Sequence, residues 1–366
     1  MMKRDEQAVF ALRELYEKYG YSRYKMSRFE EYDLYVNNKD FLVSDEVITF
    51  TDRSGRLLAL KPDVTLSIIK NAPDVKGETQ KVYYNENVYR VYTGNSSFRE
   101  IMQTGLECIG DLGGYEIAEV VLLAAKSLAL ISDNYLLDIS HMGLISALLK
   151  NSGLSQKGVE SASQYLQSKN GHELTAMCKD EGIDEKEIKK LNALIDYSGQ
   201  PKSVINSLNP LLTEEKEISA LNELVLLCEI LEKCGFGDRI SIDFSVGNDL
   251  KYYSGVVFKG YIEGLPAGIL SGGQYDKLLK KMGRKSKAIG FAVYTDMLER
   301  LENKSVSPLD AVILYENGFD ARLIEISEGF AKDGSVLVTA SLPENRPYKK
   351  LYRYEKGEVT LIEDRS

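Results

Sequence analysis

The chain reads as an α+β protein on a mainly antiparallel sheet flanked by helices, with a helical insertion and a small α/β unit at its C-terminal end. Two long runs rich in β-branched and aromatic residues, Lys81 to Tyr92 and Phe98 to Ile109, flank the short turn TGNSS (Thr93 to Ser97), the pattern of an antiparallel hairpin. A polar-rich helical stretch from about Gly143 to Leu208 then separates that hairpin from a second set of strand-like segments. After Pro308 a strand–helix–strand pattern begins afresh, the size of a small separate domain.

Ala8, Leu12, Leu15, Tyr16 and Tyr19 recur at helical spacing before Gly20, which predicts an amphipathic helix over residues 5–19 with a glycine stop. Leu57 to Leu60 follows as a strand, then the hairpin, a helix from Tyr115 to Ser132 and a short strand from Leu136 to Ile139. The insertion, about 143–208, breaks at Gly153, Asn170-Gly171, Gly182 and the Gly199-Gln200-Pro201 turn. A helix from about Glu214 to Lys233 leads to core strands at Ile240 to Phe244 and Tyr252 to Ile262, and helical residues from Ile289 to Leu301 close the unit. The domains are therefore expected at 1–305 and 306–366. The second contains a strand Ala311 to Tyr315, a helix Ala321 to Lys332, a strand Val336 to Thr339 and a final hairpin turning at Lys356-Gly357.

Composition narrows the function classes. The 366 residues are 43% hydrophobic, ordinary for a globular protein. Lys plus Arg total 46 against 55 Asp plus Glu, a net charge of −9 with no basic block, which argues against a large phosphate-neutralising surface and hence against a nucleic-acid partner. Cys108, Cys178, Cys228 and Cys234 show no Cys-x-x-Cys pairing and fit reduced thiols, so the chain is expected to be cytoplasmic. The charged N-terminus has no signal-peptide core, and no apolar run is long enough to suggest a membrane span. Two isolated histidines and scattered cysteines offer no metal site and no hydrolytic triad; phosphate-cradling glycine loops are also missing, and no cofactor is implied.

One collinear series of motifs carries more. LYEKYGYSRYKMSRFEEYDLY resembles motif 1 of the class II aminoacyl-tRNA synthetases, the dimer-forming helix and strand, with Ser27 in place of the usual proline. LLALKPDVT, Leu57 to Thr65, resembles the histidine-binding loop of the histidyl-tRNA synthetases, with Asp63 as its carboxylate. VYRVYTGNSSFREIMQTGLECIG resembles motif 2 and the strand after it, with Arg90, Gln103 and Glu107 in the family's positions. YYSGVVFKGYIEGLPAGILSGGQYD, Tyr252 to Asp276, resembles the amino-acid pocket, and AIGFAVYTDML, Ala288 to Leu298, the ATP-binding helix of motif 3. A free amino acid presents an ammonium group that needs carboxylate and carbonyl-type acceptors, which Asp63, Thr65, Gln103 and Glu107 supply. Tyr252 and Tyr253 can wall an imidazole, and Gly272-Gly273 permits close backbone approach. The implied ligand is histidine, with Arg90 in the same set. Asp63 and Thr65 also suit a helix N-terminus, where Asp63 would cap the first turn. In a sheet the two tyrosines would by default be packing residues, and the glycine pair a turn.

The departures from the pattern concern charge. Adenylation needs arginines or Mg²⁺ to meet the transferring phosphate. Arg90 is kept, but the motif 2 glutamate is Tyr92, the histidine-specific arginine is Asn248, the motif 3 arginine is Met297, and Gly-Gly-Arg has become Gly-Gly-Gln at Gln274. Losing one such donor commonly costs about 10² to 10³ in rate. The combination, with LLDISHMGLISALL at Leu136 to Leu149, resembles the ATP phosphoribosyltransferase regulatory subunits, a synthetase-like family. That resemblance implies a protein without catalytic residues of its own, assembling as a homodimer through the synthetase-like core and with a short catalytic subunit, which it activates in the first step of histidine biosynthesis and subjects to histidine feedback. His141 in that segment reads as a packed structural histidine. The rival readings are an active histidyl-tRNA synthetase-like enzyme that activates histidine with ATP, and a histidine sensor with another partner.

Overall fold

The computed structural model describes residues 3–42, 47–72, 74–75, 77–92, 97–246, 252–300, 308–316, 321–343 and 346–365. Residues 93–96 of the hairpin turn, Asn248 and the 301–307 stretch lie outside them. Contacts divide the chain into two units, Met1–Leu301 and Glu302–Ser366.

In the first unit the helix α1 (Arg4–Lys18) precedes the strands β1 (Ser22–Arg23) and β2 (Phe29–Glu31), a short helix α2 (Tyr32–Val36), and the strands β3 (Thr49–Thr51) and β4 (Leu57–Leu60). Helix α3 (Thr65–Asn71) leads into the long hairpin β5 (Thr79–Tyr92) and β6 (Ser97–Gly110), then α4 (Gly114–Ile131) and β7 (Tyr135–His141). The insertion supplies α5 (Met142–Asn151), α6 (Gln156–Gln167), α7 (Gly171–Asp180), α8 (Glu185–Asp196) and α9 (Pro201–Leu208), followed by α10 (Glu215–Lys233). The unit finishes with β8 (Ile240–Ile242), β9 (Val256–Ile262), β10 (Leu270–Gln274), α11 (Asp276–Lys281) and β11 (Lys287–Tyr294). Among the described residues, eight strands form one sheet in the order β1-β5-β6-β11-β10-β9-β7-β8, antiparallel except at β1–β5 and β7–β8. The strands β2, β4 and β3 make a separate antiparallel sheet.

The two-residue period of a strand sorts the side chains of the large sheet. On β6, Leu106 and Cys108 enter the main core with α1 and α4, while Gln103, Gly105, Glu107 and Ile109 face the other way. On β11, Ile289, Phe291 and Val293 enter the same main core, leaving the small Ala288, Gly290 and Ala292 on the opposite face. That alternation of large and small residues is a strand signal, and it corrects the helix expected over Ile289 to Leu301: the segment is β11 followed by a 3₁₀ turn, Thr295–Arg300. The expected strand at Tyr252 to Ile262 starts only at Val256, so Tyr252 and Tyr253 stand in the turn before it. Gly272 and Gly273 are no turn but the interior of β10. A Cβ on Gly272 would lie 2.3 Å from the Gly290 carbonyl, so the neighbouring strand comes close because the side chain is missing. The strand expected over Ile240 to Phe244 ends at Ile242.

The insertion is anchored by a buried ion pair. Lys190 Nζ of α8 lies 3.0 Å from Glu187 and 3.6 Å from Glu217 of α10, and Glu217 also accepts from Asn151 of α5 at 2.9 Å. Three helices therefore share one charge cluster.

In the second unit β12 (Leu309–Tyr315), α12 (Ala321–Asp333) and β13 (Val336–Thr339) form a βαβ element, extended by β14 (Tyr348–Glu355) parallel to β12 and by β15 (Glu358–Asp364) antiparallel to β14. Lys356 and Gly357, with φ of 51° and 87°, make the left-handed two-residue turn of that last hairpin.

The tightest backbone approach gives a stability test. A Cβ on Gly290 would sit 1.7 Å from a Glu107 carboxylate oxygen. Gly290→Ala is expected to lower the unfolding free energy by about 1–3 kcal/mol in urea titrations.

Candidate functional site

The site begins with the loop between β4 and α3. The Lys61 carbonyl accepts from the Tyr89 amide at 2.9 Å, and the Arg90 Nε donates to the Pro62 carbonyl at 2.9 Å. The buried Lys61 ammonium pairs with Glu86 of β5 at 2.6 Å. Three links thus fasten residues 61–62 to β5 and fix where Asp63 stands. Asp63 then accepts from the Leu66 amide at 2.9 Å, capping α3 as the sequence suggests.

Helix α3 presents Thr65 to the sheet, where its hydroxyl donates to Glu107 Oε1 at 2.8 Å. The other Glu107 oxygen accepts from the Tyr275 hydroxyl. In register, Gly290 of β11 lies opposite Glu107, and Gly273 of β10 lies opposite Gly290. Two glycines and a carboxyl make one row across three strands, leaving space above the glycines that side chains elsewhere would fill.

That space is a cavity of about 180 Å³. It is small beside the roughly 300–1,000 Å³ of sites for drug-sized ligands. Asp63, Thr65, Arg90, Gln103, Glu107, Tyr252 and Tyr253 all line it, so the structure brings together every residue that the sequence assigned to the pocket. Gln103 and Glu107 are only 3% and 2% exposed. The tyrosine rings meet edge to face at 4.7 Å, and Tyr252 also packs 5.8 Å from Phe41 and 5.9 Å from Tyr275. Tyr275, Tyr84, Phe41 and the Ser271–Tyr294 hydroxyl pair complete the lining without having been singled out in the sequence. For Tyr275 the signal was present in the quoted GGQYD; Gly290 in AIGFAV was a second, since an isolated glycine inside a strand marks a close approach.

Burial dominates the electrostatics. It pushes the Glu107 carboxyl up to about 8, against the lowering effect of the Tyr275 and Thr65 hydrogen bonds, and nearby Asp63 adds to the rise. Asp63 is likewise raised by burial, moderated by the Leu66 amide and the Arg90 charge. Tyr252 and Tyr275 are held well above the ordinary phenol value, by burial first and then by the carboxylates, so both remain neutral donors. The arrangement offers concentrated acceptors at one place, with Arg90 as the cation among the described lining residues. It suits a small zwitterion whose ammonium would draw the proton off a carboxyl.

Two of the substituted arginine positions point elsewhere. Met297 is packed against the main core. Gln274 is buried, and its side-chain oxygen accepts from the Val256 amide at 2.8 Å. Neither lines the cavity. Asn248 and the side chain of Tyr92 lie outside what the structure describes. His141 is the buried cap of α5: its Nδ1 accepts from the Leu144 amide at 3.2 Å, and its Nε2 lies 3.2 Å from Glu223. It has the structural role expected of it.

Glu107 makes stability depend on pH. Its value is near 4.5 in an unfolded chain and about 8 in the folded one, so between these values the folded state holds a proton that the unfolded state has lost. Stability carried by that proton is full below 4.5 and falls as pH rises through 8, by up to about 1.4 kcal/mol per pH unit. Glu107→Gln, which cannot titrate, is expected to flatten this fall; melting temperatures of both proteins across that window test it, and parallel curves refute it.

The chain is similar to known proteins over most of its length. The family model described as Histidyl-tRNA synthetase matches residues 1–298. An ATP phosphoribosyltransferase regulatory subunit from Clostridium novyi (strain NT) is 30% identical over 337 residues, covering 89% of this chain and 80% of that protein. A crystal structure of an ATP phosphoribosyltransferase regulatory subunit/histidyl-tRNA synthetase from Bacillus halodurans C superposes with a TM-score of 0.79 at 25% identity, over 96% of this chain and 93% of the other. A chain from the ATP phosphoribosyl transferase (HisG:HisZ) complex of Thermotoga maritima shares the fold, with a TM-score of 0.64 at 21% identity, over 80% of this chain and 97% of that one.

Proposed function

The chain belongs to the ATP phosphoribosyltransferase regulatory subunits of the histidyl-tRNA synthetase family, and we propose that it binds histidine in the cavity around Glu107 and carries out no chemistry there. The observation that carries this reading is the cavity lining: Asp63, Thr65, Gln103, Glu107, Tyr252 and Tyr253 supply acceptors and ring walls for an amino acid, and Arg90 is the cation among the described residues for its carboxylate. Stabilising a pentavalent phosphate needs more positive charge than that. Met297, packed against the core, and Gln274, bonded to the Val256 amide, do not supply it.

The regulatory role then follows as linkage. Histidine can alter activity elsewhere only by favouring one assembly state over another. The partner is a short catalytic subunit of ATP phosphoribosyltransferase, in keeping with the two-subunit complex that the Thermotoga maritima neighbour comes from. A homodimer through the synthetase-like core belongs to the same reading, and Phe29 of the motif 1 segment is exposed in the single chain. Among the described residues no helix is long and apolar enough to cross a membrane. A cytoplasmic location suits this role.

Phosphoribosyltransferase activity of a short catalytic subunit from the same source is expected to appear only when this chain is added; equal activity without it overturns the regulatory reading. The chain alone is expected to give no histidine-dependent exchange of pyrophosphate into ATP, and exchange above background would establish the enzymatic alternative instead. By calorimetry, Asp63→Ala and Glu107→Ala should each weaken histidine binding about 10- to 100-fold, the range for a lost hydrogen bond to a charged group. Unchanged affinity in both would place histidine elsewhere.

A further inference from the structure

The tyrosine wall of the cavity belongs to residues 252–255, which lie in no strand, so the ladder of the sheet does not by itself hold it. The β9–β10 ladder ends at the pair Val257–Gly273. Beyond it the main-chain Gln274 oxygen accepts from the Ser254 amide at 2.9 Å, and the Gln274 side-chain oxygen accepts from the Val256 amide at 2.8 Å. Between these two tethers Gly255 gives its carbonyl to the Met142 amide at 2.8 Å. Tyr253 lies directly over Gly273, where a Cβ would come within 2.8 Å of the ring.

We propose that Gln274 is the positioning residue of the tyrosine wall, acting through the Val256 amide and without touching the ligand. The inference rests on the reading of the cavity as a histidine site. The main-chain tether would survive any residue at 274, but the side-chain tether needs an acceptor of this length. An arginine, which the synthetase pattern places here, carries donors only and cannot take the Val256 proton. Gly255 is matched to the same contact: a Cβ there would lie 2.0 Å from the Gln274 side-chain oxygen. Its φ is not in the left-handed region, so the backbone itself would accept an alanine, and the amide of Gln274 is what an alanine would displace. Gln274 and Gly255 thus form one device. The substitution that removes a phosphate-binding charge also supplies a fixed edge to the amino-acid pocket.

The experiment is histidine titration calorimetry on the full chain with melting temperatures recorded alongside. Gln274→Met keeps the length and removes the acceptor; it is expected to weaken histidine binding about tenfold, the size of one lost hydrogen bond. Gln274→Glu restores an acceptor and should recover most of the affinity, which a purely volumetric role of the residue would not produce. Gly255→Ala should weaken binding similarly, yet add nothing in a Gln274→Ala background, because the atoms it displaces are gone. Wild-type affinity in Gln274→Met, or additive losses in the double variant, overturns the proposal. Absence of histidine binding to the wild-type chain overturns the reading beneath it and the proposal together, and is distinguished by that control.

Discussion

The site depends on a carboxyl buried in the middle of a sheet. Glu107 is 2% exposed and is held on one oxygen by Thr65 and on the other by Tyr275. Leaving such a group without partners would cost several kcal/mol, so helix α3, which brings Thr65, and the turn after β10, which brings Tyr275, are fixed relative to β6 by the same requirement. Gly290 and Gly273 continue the row and leave it open on one side. The protein therefore keeps an acceptor-rich hollow in the place where an ordinary sheet would pack apolar side chains.

Around this hollow the charges divide by purpose. Lys61 is used to fasten the Asp63 loop to β5, and Lys190 to lock the insertion to α10; both ammonium groups are buried in ion pairs and neither faces the cavity. Arg90 does both, donating to Pro62 while lining the hollow. Where the synthetase pattern has further arginines, this chain has Met297 packed against the core and Gln274 bonded to the strand beside it. These two replacements are absorbed into packing and hydrogen bonding, and the acceptor role of Gln274 is one that a donor-only arginine could not take. On the proposed reading, a scaffold that responds to a ligand needs affinity and a means to transmit it, not transition-state charge.

Much was legible in the sequence because it was written in local chemistry. The hairpin β5–β6, helices α1, α4 and α10, the strand Leu57–Leu60 and the Lys356-Gly357 turn follow from periodicity and turn residues whose preferences act over a few positions. The pocket residues Asp63, Thr65, Arg90, Gln103, Glu107, Tyr252 and Tyr253 were identifiable because motifs fixed their order along the chain. What failed was the state of short glycine-bearing apolar segments. AIGFAV reads as helix from its sequence, and the Gly272-Gly273 pair offers a turn only as its default, although both lie in central strands. In each the reason for the glycines lies on neighbouring strands, out of reach of a local reading.

The sequence by itself determined the family, the fold class and the set of residues that could hold an amino acid, since residue type and collinear order suffice for those. Only the tertiary structure decided that Gly273, Gly290 and Glu107 share a row, that Tyr275 completes the carboxyl's partners, that burial lifts Glu107 to about 8, and that Gln274 faces Val256 and not the cavity. Each of those depends on distances between segments far apart in the chain, and on how thoroughly water is excluded between them, which no local pattern encodes.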